Sequence, residues 1–332
     1  MMIRLKQKAR NLLAAQAPDL LVTLLRQSRK RDMAEALSVP TETFLREQFR
    51  EKTGLELDIQ APTGLSEKLN ALKLRPVDPL QTLCADKIRV REHVAARLGE
   101  QVLVPKIMAT YRLNDITPRN IRADKFVIKT NHDFAGVIIC RDRSRFDWSG
   151  ARAKLADHLA FNHWLRHREP PYREIRPGVL VETFLEPDSP AGLREYKIFC
   201  FNGQPHFIMV IEEGAGRRFK TVYDTDWRRL PVHRRAAPSS PSSIERPQRL
   251  GELLDAAKAL AEPFDFCRVD LYENFGRVLF GEITFYPEGG MDVFEPPEWE
   301  RRIGDLLHID RAGHRTQTGL TTSEWETARC AS

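Results

Sequence analysis

The spacing of apolar positions changes several times along the chain. Through residues 1–75, Leu12, Leu13, Leu20, Leu21, Leu24 and Leu25 recur at helical spacing, and Arg26, Lys30 and Arg31 follow. Leucine faces of this kind normally pack on a core. The alternative is a basic amphipathic segment lying on an anionic membrane surface. From Asp86 onward, Ile88, Val94 and Leu98 form a helical stripe that Gly99 stops. Phe126–Lys129 and Gly136–Cys140 read as short strands around the turn 131–135, and Leu155, Leu159, Trp164 and Leu165 as helix. Val179–Leu185 shows little alternation, which predicts a strand buried on both faces.

Two hairpins are expected further on. Asn202-Gly203 is a strong turn signal between Tyr196–Phe201 and His206–Ile211. Ala237–Pro247, rich in Pro and Ser, reads as an exposed loop, and Leu250, Leu253, Leu254, Ala257, Leu260 and Ala261 as a helix stopped by Pro263. The second hairpin joins Phe266–Tyr272 to Arg277–Phe285. A three-residue loop, Asn274-Phe275-Gly276, sets Arg268 opposite Glu282 and Asp270 opposite Phe280. Alternation then gathers Arg268, Asp270, Glu282 and Thr284 on one face and Val269, Leu271, Leu279, Ile283 and Phe285 on the other. A two-residue loop would put Asp270 and Glu282 on opposite faces.

Bulk properties narrow the class. With 332 residues, 42% hydrophobic and 30% charged, the chain can bury a large core in two lobes without disulfides. The formal charge of +6 suits an anionic substrate or membrane surface. No zinc spacing and no aromatic-basic module points to nucleic acid, so none is expected as a partner. Cys84, Cys140, Cys200, Cys267 and Cys330 form no C-x-x-C pair and read as reduced thiols of a cytoplasmic protein. The basic start lacks a continuous apolar stretch, so neither a signal peptide nor a membrane span is expected.

Asp270 and Glu282, with Thr284 beside them, make an oxygen-rich site of the kind hard Mg²⁺ prefers, and Mn²⁺ is the alternative cation. Two carboxylates side by side repel unless something cationic sits between them. Arg268 could compensate, and could also steady a transferring phosphoryl group. The plainer alternative is a surface hairpin with a weak cross-strand ion pair. Lys129 ends a strand before the turn containing Gly136, where backbone N–H groups can face phosphate. Lys87 follows Asp86 at an expected helix start, a position that attracts anions. Lys197 opens another strand beside Glu195. Each lysine alone is an ordinary surface charge. His132 can touch phosphate or be satisfied by its own turn.

The order Asp86-Lys87, Val-Ile-Lys129, Leu-Val-Glu182-Thr-Phe-Leu185, Glu195-Tyr-Lys197, Arg268-Val-Asp270 and Glu282-Ile-Thr284 resembles the ATP-grasp superfamily. More narrowly, Ser66–Leu74, Ala85–Val94, Lys129–His132, Tyr196–Gly203 and Gly281–Phe285 resemble its TupA-like branch, named for teichuronopeptide synthesis, over residues 43 to 307. The resemblance implies an α/β fold of two α/β lobes clasping Mg-ATP. It implies a helical extension (1–75), an N-terminal and central lobe with phosphate lysines (76–185), a C-terminal lobe with the metal site (186–310) and a flexible tail (311–332). Lys87, Lys129, His132 and Gly136 would serve the ATP phosphates. Val181, Glu182, Phe184 and Leu185 would form the adenine hinge, and Glu195 would lie near the ribose. Asp270, Glu282 and Thr284 would hold Mg²⁺, with Arg268 and Lys197 acting on the phosphoryl group. Two departures stand out: Thr284 where the family often has Asn, and Asp133-Phe134-Ala135 where it has small, Gly-rich residues. Phe134 is then expected to cover or obstruct the nucleotide, and Asp133 to repel phosphate.

The implied activity is a carboxylate–amine ligase of surface-polysaccharide synthesis, with a saccharide or small-molecule carboxylate as partner and contact with the inner membrane face through the basic N-terminus. A sugar kinase on the same fold, a glycosyltransferase using Asp224-Thr225-Asp226, and a non-enzymatic nucleotide-binding scaffold are the alternatives. By charge alone, Arg91, Arg218 and Lys220 are candidates for the acceptor site.

Overall fold

The computed structural model describes residues 2–188, 192–214 and 217–309; the expected tail 311–332 and Cys330 lie outside them. In chain order the elements are helices α1 (Met2–Gln16), α2 (Pro18–Ser28), α3 (Lys30–Ser38), α4 (Thr41–Thr53), α5 (Leu65–Leu72), α6 (Pro79–Ala85) and α7 (Val90–Leu98). Strands β1 (Lys106–Thr110), β2 (Phe126–Thr130) and β3 (Val137–Cys140), helices α8 (Trp148–Leu159) and α9 (Trp164–His167), and strand β4 (Val179–Thr183) follow. The remainder comprises β5 (Glu195–Phe201), β6 (Gln204–Gly214), β7 (Arg217–Asp224), β8 (His233–Arg234), α10 (Leu250–Ala261), β9 (Phe266–Asn274), β10 (Arg277–Thr284), β11 (Phe294–Glu295) and α11 (Pro297–Asp305). Contacts divide the chain into two compact units, Met1–Thr43 with Pro76–Pro190 and Phe44–Arg75 with Ala191–Ser332.

In the first unit an antiparallel sheet of order β1-β4-β2-β3 carries a helical layer on one face. Phe126, Ile128, Cys140, Val179 and Val181 point into that layer and pack with Leu155, Ala156 and Leu159 of α8. Asp147 starts α8 by accepting a hydrogen bond from the Gly150 N–H at 2.9 Å. Ala14, Leu21 and Val22 complete the same core from α1 and α2. The N-terminal leucines divide accordingly: Leu21 is buried and Leu13 and Leu25 are partly so, whereas Leu12, Leu20 and Leu24 are exposed. A helix packed by one face has room for one core stripe, and Leu20 and Leu24 fall one position outside it. Lys129 and Glu182 project from the opposite face of the sheet, as register and alternation require.

In the second unit the sheet order is β10-β9-β5-β6-β7, again antiparallel. Asn202 and Gly203, with φ of 50° and 75°, form the expected two-residue turn. Helix α10 covers one face with Leu250, Leu253, Ala257, Leu260 and Ala261, all buried. Truncating one of those leucines to Ala would cost about 2–5 kcal/mol. The other face is aromatic at one end, where Phe199 stacks on Phe207 at 4.5 Å and both meet Phe294 edge-on. Toward the other end it is charged.

The segment Phe44–Arg75 is held to the far end of the sequence. The Ser66 N–H donates to Glu300 at 2.6 Å, Lys68 Nζ donates to the carbonyls of Gly304 and Leu307, and Lys73 Nζ donates to that of Gly289. Leu45, Phe49, Leu57 and Ile59 share a small core with Met291 and Val293. No described helix is long and apolar enough to cross a membrane.

Candidate functional site

The hairpin that carries the paired carboxylates closes with two residues, not three. Phe275 and Gly276, with φ of 47° and 65°, make the turn, and Asn274 pairs with Arg277. Such a loop alone would split Asp270 and Glu282 between faces, as expected from alternation. A β-bulge at Gly281 restores the match by inserting one residue, so that Glu282 pairs with Asp270 and Thr284 with Arg268. The expected register, Asp270 opposite Phe280, is therefore corrected, while the shared face of Arg268, Asp270, Glu282 and Thr284 stands. Glycine is required at the bulge because a Cβ there would lie 2.9 Å from the Asp270 carbonyl oxygen.

Strand β5 adds to the same face, with Lys197 opposite Asp270 and Glu195 opposite Tyr272. Asp270 is fully buried and accepts from Arg268 Nε at 2.7 Å and Arg268 Nη2 at 2.8 Å, while Lys197 Nζ pairs with it from the neighbouring strand. Lys197 also pairs with Glu195, to which the Tyr272 hydroxyl donates at 2.9 Å. Arg268 Nη2 lies 3.4 Å from Glu282 Oε1 and 3.2 Å from the Thr284 hydroxyl, which itself donates to Glu282 at 3.3 Å. The guanidinium thus stands where the three expected metal-ligand atoms converge.

Burial pushes the Asp270 carboxyl up from its ordinary value against the pull of Arg268 and Lys197, and the Glu195 and Glu282 charges add to the push. Burial is the largest influence and would lower Lys197 and Arg268, but the Asp270, Glu195 and Glu282 carboxylates together outweigh it and raise both. Three carboxylates therefore share two cations, and a further cation would relieve the excess. Among the described residues no group of three His, Cys, Asp or Glu side chains converges as a metal cage. Mg²⁺ commonly takes one or two carboxylates and fills its shell with phosphate oxygens and water, which the pair suits in kind. Both Asp270 oxygens are held by Arg268 and Lys197, however, so coordination by Asp270 requires these cations to give way. Coordination by Thr284 as well would require Arg268 to withdraw.

The first unit holds a second constellation. Glu182 is buried between Lys129 Nζ at 2.7 Å and Arg91 Nη1 at 2.8 Å. Arg91, an acceptor-site candidate by charge, also donates to the Val104 carbonyl at 2.9 Å. Of the expected hinge residues, Val181 is a core side chain, while Phe184 is half-buried beneath the Arg141 guanidinium at 4.9 Å and Leu185 is also half-buried.

The turn after Lys129 is built around Asp133. Its carboxylate accepts from the Thr130 hydroxyl and the Gly136 N–H and lies 2.6 Å from His158 Nδ1. Burial alone would raise this carboxyl, but the hydrogen bonds from His158 and Thr130 hold it below its ordinary value. The expected repulsion of phosphate is met inside the turn, since Asp133 is 6% exposed. Gly136 is needed because a Cβ would overlap the Thr130 hydroxyl at 1.7 Å. Asp86 caps the turn 86–89 through the Ile88 N–H and accepts from Asn131 Nδ2, each at 2.9 Å; α7 itself begins at Val90. Lys87 donates to the Asp133 carbonyl, which draws its ammonium to the turn. His132 points the other way, its Nε2 lying 3.2 Å from the carbonyls of His158 and Phe161. Burial lowers its pKa, so it is a neutral turn residue. Phe134, exposed, lies edge-on to His163 at 4.8 Å and under Arg166 at 5.5 Å.

Of the other flagged residues, Lys220 on β7 shares the sheet face of Lys197 and Asp270. Burial alone would raise the carboxyl of its partner Glu288, but the Lys220 charge, and also that of Arg268, lower it. Asp224 Oδ1 accepts from the Asp226 and Arg228 N–H groups at 2.9 and 2.8 Å, so this carboxylate shapes its own turn. Lys220 is buried and pairs with Glu288 at 2.8 Å, and Arg218 is exposed. Tyr272 and His158 were not singled out from the sequence. Tyr272 continues the 268/270 alternation and was legible; His158 reaches Asp133 across 25 residues and left no local signal.

A model of the TupA-like ATP-grasp family matches residues 67–308. No curated protein matches the chain. Solved structures with similarity include D-alanine–D-alanine ligase from Bacillus anthracis, 18% identical, with 61% of this chain and 57% of that one covered and a TM-score of 0.37. N5-carboxyaminoimidazole synthetase from Staphylococcus aureus, complexed with ADP, is 12% identical over 68% and 57%, with a TM-score of 0.36. D-alanine–D-alanine ligase from Helicobacter pylori is 13% identical over 68% and 63%, with a TM-score of 0.37. The chain spans less than two thirds of the length of each.

Proposed function

The chain belongs to the TupA-like ATP-grasp family, and from that premise we propose that it is an ATP-dependent ligase that activates a carboxylic acid as an acyl phosphate and joins it to an amine. The observation that carries the reading is the pairing of Asp270 with Glu282 across β9 and β10, secured by the Gly281 bulge, with Arg268 set among their oxygens.

The two carboxylates would hold Mg²⁺, which when bound neutralises phosphate charge and aligns the transferring group. Lys129 and Lys87 would bind phosphate oxygens; Glu182 orients the first and the Asp133 carbonyl the second. Backbone groups beside Glu182, with Phe184 and Leu185, would take the adenine. Glu195, held by Tyr272, would receive the ribose. A substrate carboxylate oxygen attacks the γ-phosphorus as the bond to ADP breaks. Arg268 and Lys197, both kept protonated, balance the charge that builds on the phosphoryl oxygens. The amine nitrogen then attacks the acyl carbon, the bond to phosphate breaks, and the proton the amine gives up leaves with the phosphate.

Resemblance to the TupA-like branch supports an acidic saccharide or peptide of a bacterial surface polymer (capsule, exopolysaccharide or teichuronopeptide) as partner. It also supports work in the cytoplasm. Helices α1–α3 expose Leu12, Leu20, Leu24 and Leu37 near Arg26, Lys30 and Arg31, a composition suited to the inner membrane face.

The test is titration with a non-hydrolysable ATP analogue, with and without Mg²⁺. Glu282→Gln is the cleaner substitution, since its side chain is 29% exposed and its removal strands little buried charge. The variant should lose at least tenfold in Mg-dependent affinity, and Lys129→Met should weaken binding with or without the metal. Phosphate release from ATP with paired acids and amines would then identify the substrates. Mg-dependent binding unchanged by Glu282→Gln would remove the basis of the proposal.

A further inference from the structure

A cavity of about 590 Å³ opens in the first unit, within the range of small-molecule sites. It lies against the C-terminal end of α8 and the loop 172–177, with α2 and α3 forming another wall. This is the helical side of the sheet, opposite to the face that carries Lys129 and Glu182. Arg26, Arg29, Lys30, Asp32 and Met33 all precede residue 67, where the family match begins, so this wall of the cavity lies outside the matched region.

Its chemistry is two-sided. Leu159, Ala160 and Ile175 are buried in the floor, and Phe161, Leu165 and Tyr172 extend the apolar surface. Around it stand Arg26, Arg29, Lys30 and Arg173 against Asp32 and Glu174 in the lining, with the Asp157 carboxylate beside Arg29. Arg26 donates to the Leu159 carbonyl at 3.1 Å, which anchors it without neutralising it, whereas Arg29 donates to the Asp157 carbonyl at 2.7 Å and lies 3.6 Å from the Asp157 carboxylate, which it shares with Arg10. Burial, and then the nearby Arg176 charge, press the Arg26 guanidinium below its ordinary value. Lys30 is exposed and makes no hydrogen bond or ion pair among the described residues.

We propose that this cavity binds a phosphate monoester carrying an apolar body, its head among Arg26, Arg29, Lys30 and Arg173 and its body on Leu159, Phe161, Leu165 and Ile175. A monoester carries about −1.5 to −2 charges at neutral pH, which the lining cations, more numerous than the lining acids, can meet. Guanidinium forks suit its oxygens, and the floor gives the body roughly 25 cal/mol for each Å² removed from water. The same chemistry occurs in a free phosphate ester and in the headgroup of a monoester lipid.

Octyl phosphate is the probe, with inorganic phosphate and octyl glucoside as headgroup-only and uncharged controls, followed by titration calorimetry on the full chain. Octyl phosphate should bind at least tenfold more tightly than either control. Lys30→Glu/Arg173→Glu should lose at least tenfold by reversing exposed charge, and Leu165→Trp a similar factor by filling the cavity. Both variants should keep the wild-type melting temperature and ATP-analogue affinity, so that failure here is distinguishable from failure of the ligase reading. Co-sedimentation with phosphatidic acid vesicles, competed by octyl phosphate, would assign the ligand to a membrane lipid; octyl phosphate binding without co-sedimentation would assign it to a free ester. Absence of binding at millimolar octyl phosphate, equal affinity for inorganic phosphate, or binding that both variants leave intact would overturn the proposal.

Discussion

Replacing Asp270 by Asn keeps the side chain's size and removes its charge. Asp270 is 0% exposed, and its two cations, Lys197 and Arg268, have side chains only 9% and 7% exposed. After the substitution they would face Glu195 and Glu282, whose side chains are 28% and 29% exposed and whose charges are correspondingly screened. Removing one partner of a buried ion pair costs about 3–5 kcal/mol. The Asn oxygen retains one acceptor and two carboxylates remain nearby, which favours the lower end, ~3 kcal/mol. In a domain of this size each kcal/mol moves the melting temperature by about 2–4 °C, so a fall of roughly 6–12 °C is expected. Thermal and urea unfolding of wild type, Asp270→Asn, Lys197→Met and the double variant would measure it. The cycle should give a coupling of about 1–3 kcal/mol, with the double variant more stable than the sum of the singles implies. It should also change little between low and high salt, because buried pairs are weakly screened. A variant within ~0.5 kcal/mol of wild type, or an additive cycle, would refute the argument that these three groups form one buried network.

Other consequences can be checked in the same preparations. Gly281→Ala would place a methyl 2.9 Å from the Asp270 carbonyl and 3.1 Å from the Tyr272 ring; urea unfolding should show a loss of about 1–3 kcal/mol, and titration a weaker Mg-dependent affinity as Glu282 shifts. Glu182→Gln would leave Arg91 and Lys129 without their anion, a loss of roughly 1.5–3 kcal/mol in stability, read by the same unfolding assay. Burial pushes His163 down to about 3 and His206 down to about 4. Both stay neutral in the fold while the unfolded chain takes protons below about pH 6.5. Stability is therefore full above that pH and falls as pH drops toward 4, by on the order of 2 kcal/mol for each imidazole at pH 5. Unfolding measured from pH 7.5 to 5 should show the slope, and His163→Phe should flatten part of it.

The elements of the fold were readable where one periodicity held for long enough. Leu250, Leu253, Ala257 and Leu260 announce α10, and Asn202-Gly203 fixes its hairpin, because local geometry decides both. The Asp270–Glu282 face was legible for a different reason than its register. Polar residues at 268, 270, 282 and 284 share a face under a three-residue loop or under a two-residue loop with a bulge, and alternation cannot tell these apart. The signal for the bulge was Gly281, which interrupts an otherwise branched and aromatic strand. What sequence could not supply was reach across elements. Arg91 to Glu182 spans 91 positions, and Asp133 draws its partners from two elements. The leucines of α1 and α2 show the limit of composition: both core and exposed members look alike until the partner helix is known.

The tie between α4–α5 and the last helix has a consequence for how the chain is made. Leu45, Phe49, Leu57 and Ser66 leave the ribosome early, yet Met291 and Val293, which share a core with the three apolar residues, and Glu300, which accepts from the Ser66 N–H, are synthesised more than 200 positions later. At about 5–20 residues per second this is a wait of on the order of ten to forty-odd seconds. Contacts of such high order also close slowly once both ends exist. During that interval the early helices carry an unmatched apolar surface, which makes nascent chains of this protein natural clients for a chaperone. It also means that a fragment beginning near residue 191 lacks part of its own core. A separately expressed C-terminal unit should fold only when a peptide spanning residues 44–75 is supplied in trans.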